Sequence, residues 1–258
     1  MARKTKQPAA QPAKKQGRGF IPEWTWNVLI ILWAFPFVGQ PMVIPSSSMS
    51  DTLLTGDHVI VDKLAYSPHN SFEGRLLPYE DVKRGDVIVF RHPAKLEENL
   101  VKRVIGVPGD RIRLVNKRLV LNGHAPVEPY TIHIDPGFSA YRDNFPIGAI
   151  EYRPDELQYK RALAMLRDDV VNGELVVPPG QYFAMGDDRD NSSDSRYWGL
   201  VPRENIIGKP LIVVWSYDAP TEDLIDYNAR HVVDVAEHFF TRTRWDRTLR
   251  LLEGYPLK

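Results

Sequence analysis

Two polar residues of the chain have the chemical types of a nucleophile and its base. Ser48 ends a run of three serines that follows Pro45, and Lys102 lies in a Val- and Ile-rich stretch that predicts a β-strand. A hydroxyl becomes a good nucleophile when a neighbouring base takes its proton, and a neutral amine can be that base. An exposed lysine has a pKa of about 10.4, so this chemistry requires burial, which disfavours the ammonium form and lowers the pKa.

The predicted strand favours such an environment for Lys102. The strand period of two places Leu100, Lys102 and Val104 on one face and points Arg103 to the other. The amine would then have apolar neighbours on its own face. The same pattern also fits a lysine at a sheet surface whose aliphatic stem covers its neighbours, and the residues alone leave both interpretations open.

The serine run also allows two interpretations. One serine could attack while another donates a hydrogen bond where negative charge builds on a substrate carbonyl oxygen. Serines in an ordinary loop instead hydrogen-bond to their own backbone. Spacing does not decide between the two.

Composition argues against several other kinds of site. The 258 residues carry a formal net charge of zero, so nothing global indicates a nucleic-acid partner. The chain has no cysteine, which excludes thiol nucleophiles, iron–sulfur clusters and cysteine-bound zinc. Its seven histidines form no H-E-x-x-H motif, so a zinc protease has no support. These observations argue against thiol chemistry and the zinc-protease motif.

The elements that must position these residues begin with an apolar segment. Residues 1–22 are basic and predicted to be a disordered cytoplasmic tail, and an uncharged run from Trp24 to about Pro45 follows. We predict a transmembrane anchor over residues 23–43, since about twenty residues cross a bilayer core. The positive-inside rule then places the N-terminus in the cytoplasm and the rest outside it. A cleaved signal, for which a small-x-small site is lacking, and a soluble core helix are the alternatives.

The chain beyond the anchor is predicted to be mainly β. Short Val- and Ile-rich runs separated by Gly, Pro and Asp turns predict a sheet or barrel-like catalytic domain over residues 44–123 and 173–217. A hairpin is predicted around Asn116-Lys117. The pattern weakens over residues 124–172, which we interpret as an inserted subdomain with a helix at 155–167. Residues 218–258 are predicted to form a C-terminal helical extension.

Four separated segments resemble the signature motifs of bacterial type I signal peptidases, in the order found in that family. Residues 44–49, with Thr52-Leu53 and Gly56-Asp57, resemble its nucleophile motif. Residues 83–90 resemble a second block, residues 102–110 the lysine motif, and residues 185–199 the last signature block.

The resemblance implies a role for each matching residue. Ser48 matches the nucleophile, Lys102 the general base, and Ser46 the hydroxyl that forms the oxyanion hole with the backbone amide of Ser48. Ser192 matches the residue that orients the lysine amine by a hydrogen bond. The other matches are two ion pairs near the site, Asp194 with Arg196 and Asp187 with Arg103, and three residues lining apolar subsites for small side chains, Ile44, Leu53 and Val101.

The resemblance also implies a function. Members of this family are serine endopeptidases of the bacterial cytoplasmic membrane that remove signal peptides from exported preproteins after small residues, at Ala-x-Ala-like sites. They have a mostly β extracytoplasmic domain that rests on membrane lipid and need no metal or cofactor. The alternatives are a specialised peptidase that matures a single secretion or conjugation component and an inactive, membrane-anchored peptide-binding protein. A penicillin-recognising enzyme lacks support because S-x-x-K and K-T-G are absent.

Two positions depart from the family pattern. The family usually has proline at Asp51 and asparagine at Asp188. If the Asp51 carboxylate faced the site, it would favour the ammonium form of Lys102 and oppose catalysis. An aspartate that caps or solvates the turn would have no such effect.

Overall fold

The structure is a computed structural model that describes residues 25–29, 38–66, 80–150, 155–225 and 229–257. The chain divides into two compact units, Met1–Pro36 and Phe37–Lys258. In the first unit residues 25–29 are helical, and the rest lies outside the described residues. Among the described helices none combines the length and the apolar character needed to cross a membrane.

The C-terminal boundary predicted for the anchor is wrong. Residues 39–43 were assigned to the membrane helix, but they form a strand that pairs antiparallel with residues 58–62. Gly39 and Pro41 both disfavour a helix interior, and the backbone groups of this segment find partners in the sheet instead. Most of the remaining predicted anchor, including residues 30–37, lies outside the described residues.

The described part of the second unit is mainly β, as predicted. Its strands are β1 (Gly39–Val43), β2 (Asp57–Asp62), β3 (Val87–His92), β4 (Lys95–Gly106), β5 (Arg111–Val115), β6 (Arg118–Leu121), β7 (Val170–Val171), β8 (Glu174–Val176), β9 (Gln181–Met185), β10 (Val201–Pro202), β11 (Ile206–Ser216) and β12 (Arg250–Leu251). The helices are α1 (Ala140–Asp143), α2 (Glu156–Asp168), α3 (Ser195–Trp198), α4 (Thr221–Ile225) and α5 (Ala229–Arg242), with a 3₁₀ turn at Arg203–Asn205.

The strands form two antiparallel sheets. The large sheet has the order β1-β2-β11-β3-β4-β9-β10, with β12 added to β11, and the small sheet has the order β6-β5-β8-β7. The order of the described strands is linear in both, so the sheets are open and the barrel-like alternative is wrong for this part of the chain. β4 lies inside the large sheet, and residues 101–106 are all buried.

Two predicted domain boundaries differ from the observed architecture. The small sheet joins β5 and β6, assigned to the catalytic domain, with β7, assigned to the inserted subdomain. The C-terminal extension is helical only as far as Arg242. Residues 243–257 then return along the large sheet. β3 pairs with β11 only as far as Gly208, and β12 pairs with β11 beyond that point, at Ile212 and Val213. Sequence periodicity cannot show this because the pairing is long-range.

Candidate active site

Ser48 lies in the loop that connects β1 and β2. We call residues 46–56 the serine turn. Its ends are joined by hydrogen bonds from Ile44 N to Asp57 O and from Gly56 N to Ile44 O, both 2.9 Å. Within it, Leu53 N donates to Met49 O at 2.8 Å, and the Met49 and Leu53 side chains are buried in the core. These anchors hold Ser48 at the edge of the core with 9% of its surface exposed.

Lys102 lies on β4, opposite Ile88 of β3. Its side chain is 3% exposed, and its Nζ lies 2.5 Å from Ser48 Oγ. The structure therefore brings together the two residues that the sequence identified as nucleophile and base. The distance is short enough for direct proton transfer between the hydroxyl and the amine.

Burial is the main cause of an unusual protonation equilibrium at Lys102. Removal from water disfavours the ammonium form and lowers the pKa of Lys102 to about 8, against the opposing effect of the Asp194 and Asp187 carboxylates. The Arg196 guanidinium acts in the same direction as burial. A substantial fraction of the amine is then neutral near physiological pH, whereas an exposed lysine is almost wholly charged.

Ser46 lies on the exposed side of the nucleophile. Its Oγ is 3.4 Å from Ser48 Oγ, so the two hydroxyls are within hydrogen-bond distance of each other. Its part in an oxyanion hole stays a prediction.

The segment after β9 closes the opposite side of the site. Asp188 N donates to Ser48 O at 3.2 Å, so this backbone contacts the nucleophile residue directly. A Cβ atom on Gly186 would lie 2.3 Å from Ser192 Oγ and 2.5 Å from Ser48 O, so only glycine permits this approach. The requirement is steric, since this glycine has no positive φ.

Ser192 is buried beside Gly186, but its Oγ has no hydrogen-bond partner among the described residues. The predicted hydrogen bond from Ser192 to the lysine amine is not formed in this structure. A buried hydroxyl without a partner is unfavourable, which is consistent with a group whose partner is present only during the reaction. Its orienting role stays a prediction.

Two buried ion pairs surround the dyad. Arg103 Nε and Nη2 donate to the two Asp187 carboxylate oxygens at 2.8 and 2.7 Å, and Arg196 makes the same fork to Asp194 at 2.8 and 2.7 Å. Burial raises the pKa of Asp194, but Arg196 outweighs it and holds the pKa of that carboxyl below its usual range. Each of the two carboxylates beside Lys102 is thus paired with an arginine that balances its charge.

The Arg103–Asp187 pair also connects the serine turn, which carries Ser48, to β4, which carries Lys102. Thr52 of the serine turn donates through Oγ1 to Asp187 Oδ2 at 2.6 Å and accepts from Arg103 Nη2 at 3.0 Å. The serine turn is thus linked to the residue that follows Lys102 on β4. The ring of Tyr130 covers this guanidinium, with Arg103 Cζ 3.9 Å from the ring centroid. Tyr130 was not identified from the sequence because it lies in the weakly patterned region after residue 124.

The three predicted substrate-contacting residues belong to one buried apolar cluster next to Ser48. Ile44, Leu53 and Val101 pack in this cluster with Met49. Leu53 is wholly buried, whereas Val101 retains 9% exposure. Val101 is thus the most accessible of the three side chains, whereas Leu53 packs inside the cluster.

The departures at Asp51 and Asp188 have separate structural settings. Asp51 is exposed with φ of 78°, a backbone conformation that proline cannot adopt. It is absent from the charges that act on Lys102. Asp188 is buried, and its Oδ1 accepts a hydrogen bond from Asn191 N at 3.2 Å. Its side chain thus stabilises the turn that leads to Ser192.

Sequence comparisons show the family to which the chain belongs. The family described as "Signal peptidase, peptidase S26" matches residues 18–215. Signal peptidase I of Pseudomonas fluorescens is 37% identical over 219 residues, covering 79% of this chain and 73% of that protein. Signal peptidase I of Pseudomonas aeruginosa is 35% identical over 222 residues, with the same two coverages, 79% and 73%. A solved signal peptidase I of Enterococcus faecalis is 29% identical, covers 50% of this chain and 97% of its own, and has a TM-score of 0.33. The family match includes Ser48, Lys102 and the whole segment that closes the site, and the chain belongs to the signal peptidase family, peptidase S26.

Proposed function

We propose that this protein is a membrane-anchored serine endopeptidase that removes N-terminal signal peptides from exported preproteins. The observation that carries the proposal is the 2.5 Å contact between Ser48 Oγ and the Nζ of a buried lysine with a pKa of about 8. A buried amine beside a hydroxyl needs a reason, because burying an ammonium group costs stability. Activation of the hydroxyl supplies that reason.

The first half of the reaction follows from the geometry. The neutral Lys102 amine takes the proton of the Ser48 hydroxyl as Oγ attacks the scissile carbonyl carbon. The oxygen of that carbonyl becomes negative and receives hydrogen bonds from the Ser46 hydroxyl and the Ser48 backbone amide. Lys102, now an ammonium, returns the proton to the departing amine, which leaves Ser48 acylated by the signal peptide.

The second half repeats these steps with water. Lys102 is neutral again after the first product departs, so it can deprotonate a water molecule that attacks the acyl ester. The same oxyanion contacts stabilise the second tetrahedral intermediate, and the proton returns to Ser48 Oγ. Asp194 and Asp187 stabilise the ammonium form that exists between the two proton transfers.

The substrate class follows from the apolar wall beside Ser48. Ile44, Leu53 and Val101 pack in the apolar cluster that includes Met49, next to Ser48, and an apolar surface there would accept small apolar residues such as alanine one and three positions before the cut. The uncharged run beginning at Trp24 would anchor the enzyme in the cytoplasmic membrane, with its N-terminus inside and Ser48 outside, where translocated preproteins arrive.

The direct test is cleavage of a preprotein with an Ala-x-Ala site, followed by mass spectrometry of the products. Ser48→Ala and Lys102→Arg should lower the cleavage rate at least 10³-fold, by the order of magnitude that loss of a nucleophile or base costs. Arginine is informative because it stays protonated in proteins and cannot accept a proton.

Matched controls separate chemistry from folding. Ser47→Ala removes the neighbouring exposed hydroxyl, and Lys209→Arg replaces a lysine of β11 that pairs with Asp86 at 3.1 Å. Both should cleave at the wild-type rate. Measurable cleavage by Lys102→Arg would remove the lysine from the mechanism. Cleavage of only one preprotein from a varied panel would favour the specialised peptidase.

A further inference from the structure

The C-terminal segment, residues 243–257, contacts the serine turn from outside the region matched by the signal peptidase family. That match ends at residue 215, and the sequence assigned no role to the residues after 218. In the structure, two arginines of this segment reach back to backbone carbonyls of the serine turn. These contacts bear on the position of Ser48.

Arg247 makes the more extensive contact. Its Nη2 lies 2.6 Å from Asp57 Oδ2 and donates to Thr52 O at 3.1 Å, and its Nε donates to Asp57 Oδ1 at 3.3 Å. The guanidinium is buried, and Asp57 is wholly inaccessible. Asp57 Oδ2 also accepts from Leu54 N at 2.9 Å. One side chain therefore joins the middle of the serine turn to the residue where β2 begins.

Arg244 makes a second, independent contact nearby. Its Nη1 donates to Thr55 O at 2.9 Å, and its Nη2 lies 2.5 Å from Asp218 Oδ1. Arg244 N donates to Ser216 O at 2.9 Å, which fixes the segment to the end of β11. The serine turn is thus held against the large sheet by two cationic side chains that come from one short stretch of chain.

The contacts lie close enough to Ser48 to affect it. Thr52, whose carbonyl Arg247 binds, also hydrogen-bonds through its side chain to Asp187 at 2.6 Å. Thr52 is therefore fixed on one side to the Arg103–Asp187 pair beside Lys102 and on the other to Arg247. A shift of about 1 Å between reacting groups can cost about 10²-fold in rate. The 2.5 Å separation of Ser48 and Lys102 depends on the serine turn keeping its place.

We propose that Arg247, assisted by Arg244, is a positioning residue that holds the serine turn so that Ser48 faces Lys102. The proposal rests on the proposed peptidase activity. Arg247 touches neither substrate nor the reacting atoms. It acts on the rate of the chemical step through Thr52 and Asp57, and not on substrate affinity.

The test compares Arg247→Ala, Arg247→Lys and the control Arg242→Ala in the full-length protein. Arg242 lies on α5 and pairs with Asp234 at 2.9 Å, and among the described residues its side chain makes no ion pair with Asp57. We expect Arg247→Ala to lower kcat about 10- to 100-fold with KM within twofold of wild type. Arg247→Lys keeps a charge opposite Asp57 but loses the fork to that carboxylate with its added hydrogen bond to Thr52 O, so its kcat should be intermediate. Arg242→Ala should keep the wild-type kcat.

Two further measurements distinguish an effect of Arg247 on the position of the serine turn from an effect on the stability of the whole protein. The acidic limb of the pH–rate profile, where the rate falls as Lys102 becomes protonated, should keep its midpoint in Arg247→Ala while the plateau falls, because Arg247 is not among the groups that act on the pKa of Lys102. Amide hydrogen exchange at Leu53, Leu54 and Gly56 should accelerate in Arg247→Ala but not in Arg242→Ala. A folded Arg247→Ala protein with wild-type kcat, or with wild-type exchange in the serine turn, would overturn the proposal. If the wild-type protein cleaved no preprotein, the proposed function would fail, and the exchange rates would still decide whether Arg247 fixes the turn.

Discussion

Lys102 shows how burial and charge are set against each other at one side chain. Burial alone would make the amine a weak base that rarely holds a proton, and the two nearby carboxylates limit that effect. The resulting pKa of about 8 lets the amine both accept a proton and release it near neutral pH. Arg196, which is held in a fork to Asp194, partly offsets the effect of that carboxylate on the pKa of Lys102.

The pKa of Lys102 predicts the pH dependence of cleavage. Only the neutral amine can take the Ser48 proton, so kcat/KM should fall about tenfold per pH unit below about pH 8 and level off above it. The measurement is kcat/KM on an Ala-x-Ala peptide between pH 6 and 10. Asp51→Asn, at an exposed position, should give a superimposable profile. A flat profile over this range would contradict a lysine base.

Replacing Ser192 with alanine should lower the activity of the protein without lowering its stability. The buried Oγ of Ser192 has no partner, so Ser192→Ala should leave the free energy of unfolding unchanged or raise it by about 1 kcal/mol. If the hydroxyl orients the Lys102 amine during the reaction, the same variant should lose about tenfold or more in kcat. Urea unfolding and steady-state kinetics measure the two effects. Wild-type kcat in Ser192→Ala would leave the hydroxyl without a catalytic role.

The serine turn is positioned by elements on three sides, namely β1, the segment after β9 and the end of β11. Gly56 marks its closest approach to the last of these. A Cβ atom there would lie 1.9 Å from Tyr217 O, and the residue has φ of 89°. Tyr217 N in turn donates to Gly56 O at 3.0 Å. The turn therefore contacts the sheet by backbone alone at this point.

Gly56→Ala should be more destabilising than an ordinary replacement of a left-handed glycine. Positive φ costs a non-glycine residue about 1–2 kcal/mol, and the clash with Tyr217 O should add about 1–3 kcal/mol. Gly109→Ala is the matched control because Gly109 has φ of 91° with open space around its Cβ position. Denaturant unfolding of both variants gives the comparison. Equal losses would show that the turn yields without cost.

Local sequence patterns predicted the elements whose partners are near in the chain. The hairpin around Asn116-Lys117 is confirmed by the β5–β6 pairing, and both turn residues have positive φ. The helix predicted at 155–167 is observed at Glu156–Asp168, capped by Asp155. The strand at 39–43 was missed because it continues the uncharged run that begins at Trp24, and its pairing with β2 is not visible in the local sequence.

The candidate site was predictable only in part, for a similar reason. Motif resemblance selected Ser48 and Lys102, but their contact depends on the turn and β4 meeting in the folded chain. Tyr130 and Arg247 had no local signal, since each acts through a long-range contact, with Arg103 and Asp57. Residue types alone do not encode such contacts.

Because the molecule divides into two units, we expect the proposed peptidase reaction to be separable from the proposed membrane anchor. The unit Phe37–Lys258 contains the described sheets, Ser48 and Lys102. A protein that starts at Phe37 should fold, cleave a soluble Ala-x-Ala peptide with kcat within about threefold of the full chain, and remain in solution when vesicles are sedimented. The full chain should sediment with the vesicles.

Two results would count against this separation. Sedimentation of the shortened protein would locate the attachment in the catalytic unit, and recovery of the full chain in the supernatant would remove the anchor. Ser48→Ala in the shortened protein gives the background rate for the peptide assay.

The pair formed by Asp57 and Arg247 joins positions 190 residues apart. Ribosomes add about 5–20 residues per second, so roughly 10–40 s separate the synthesis of the serine turn from that of the arginine that fixes it. During this interval the nascent chain already contains Ser48, but Arg247 does not yet hold the serine turn. We therefore expect a nascent chain that ends before Arg247 to hydrolyse its substrate about 10- to 100-fold more slowly than one that includes this residue.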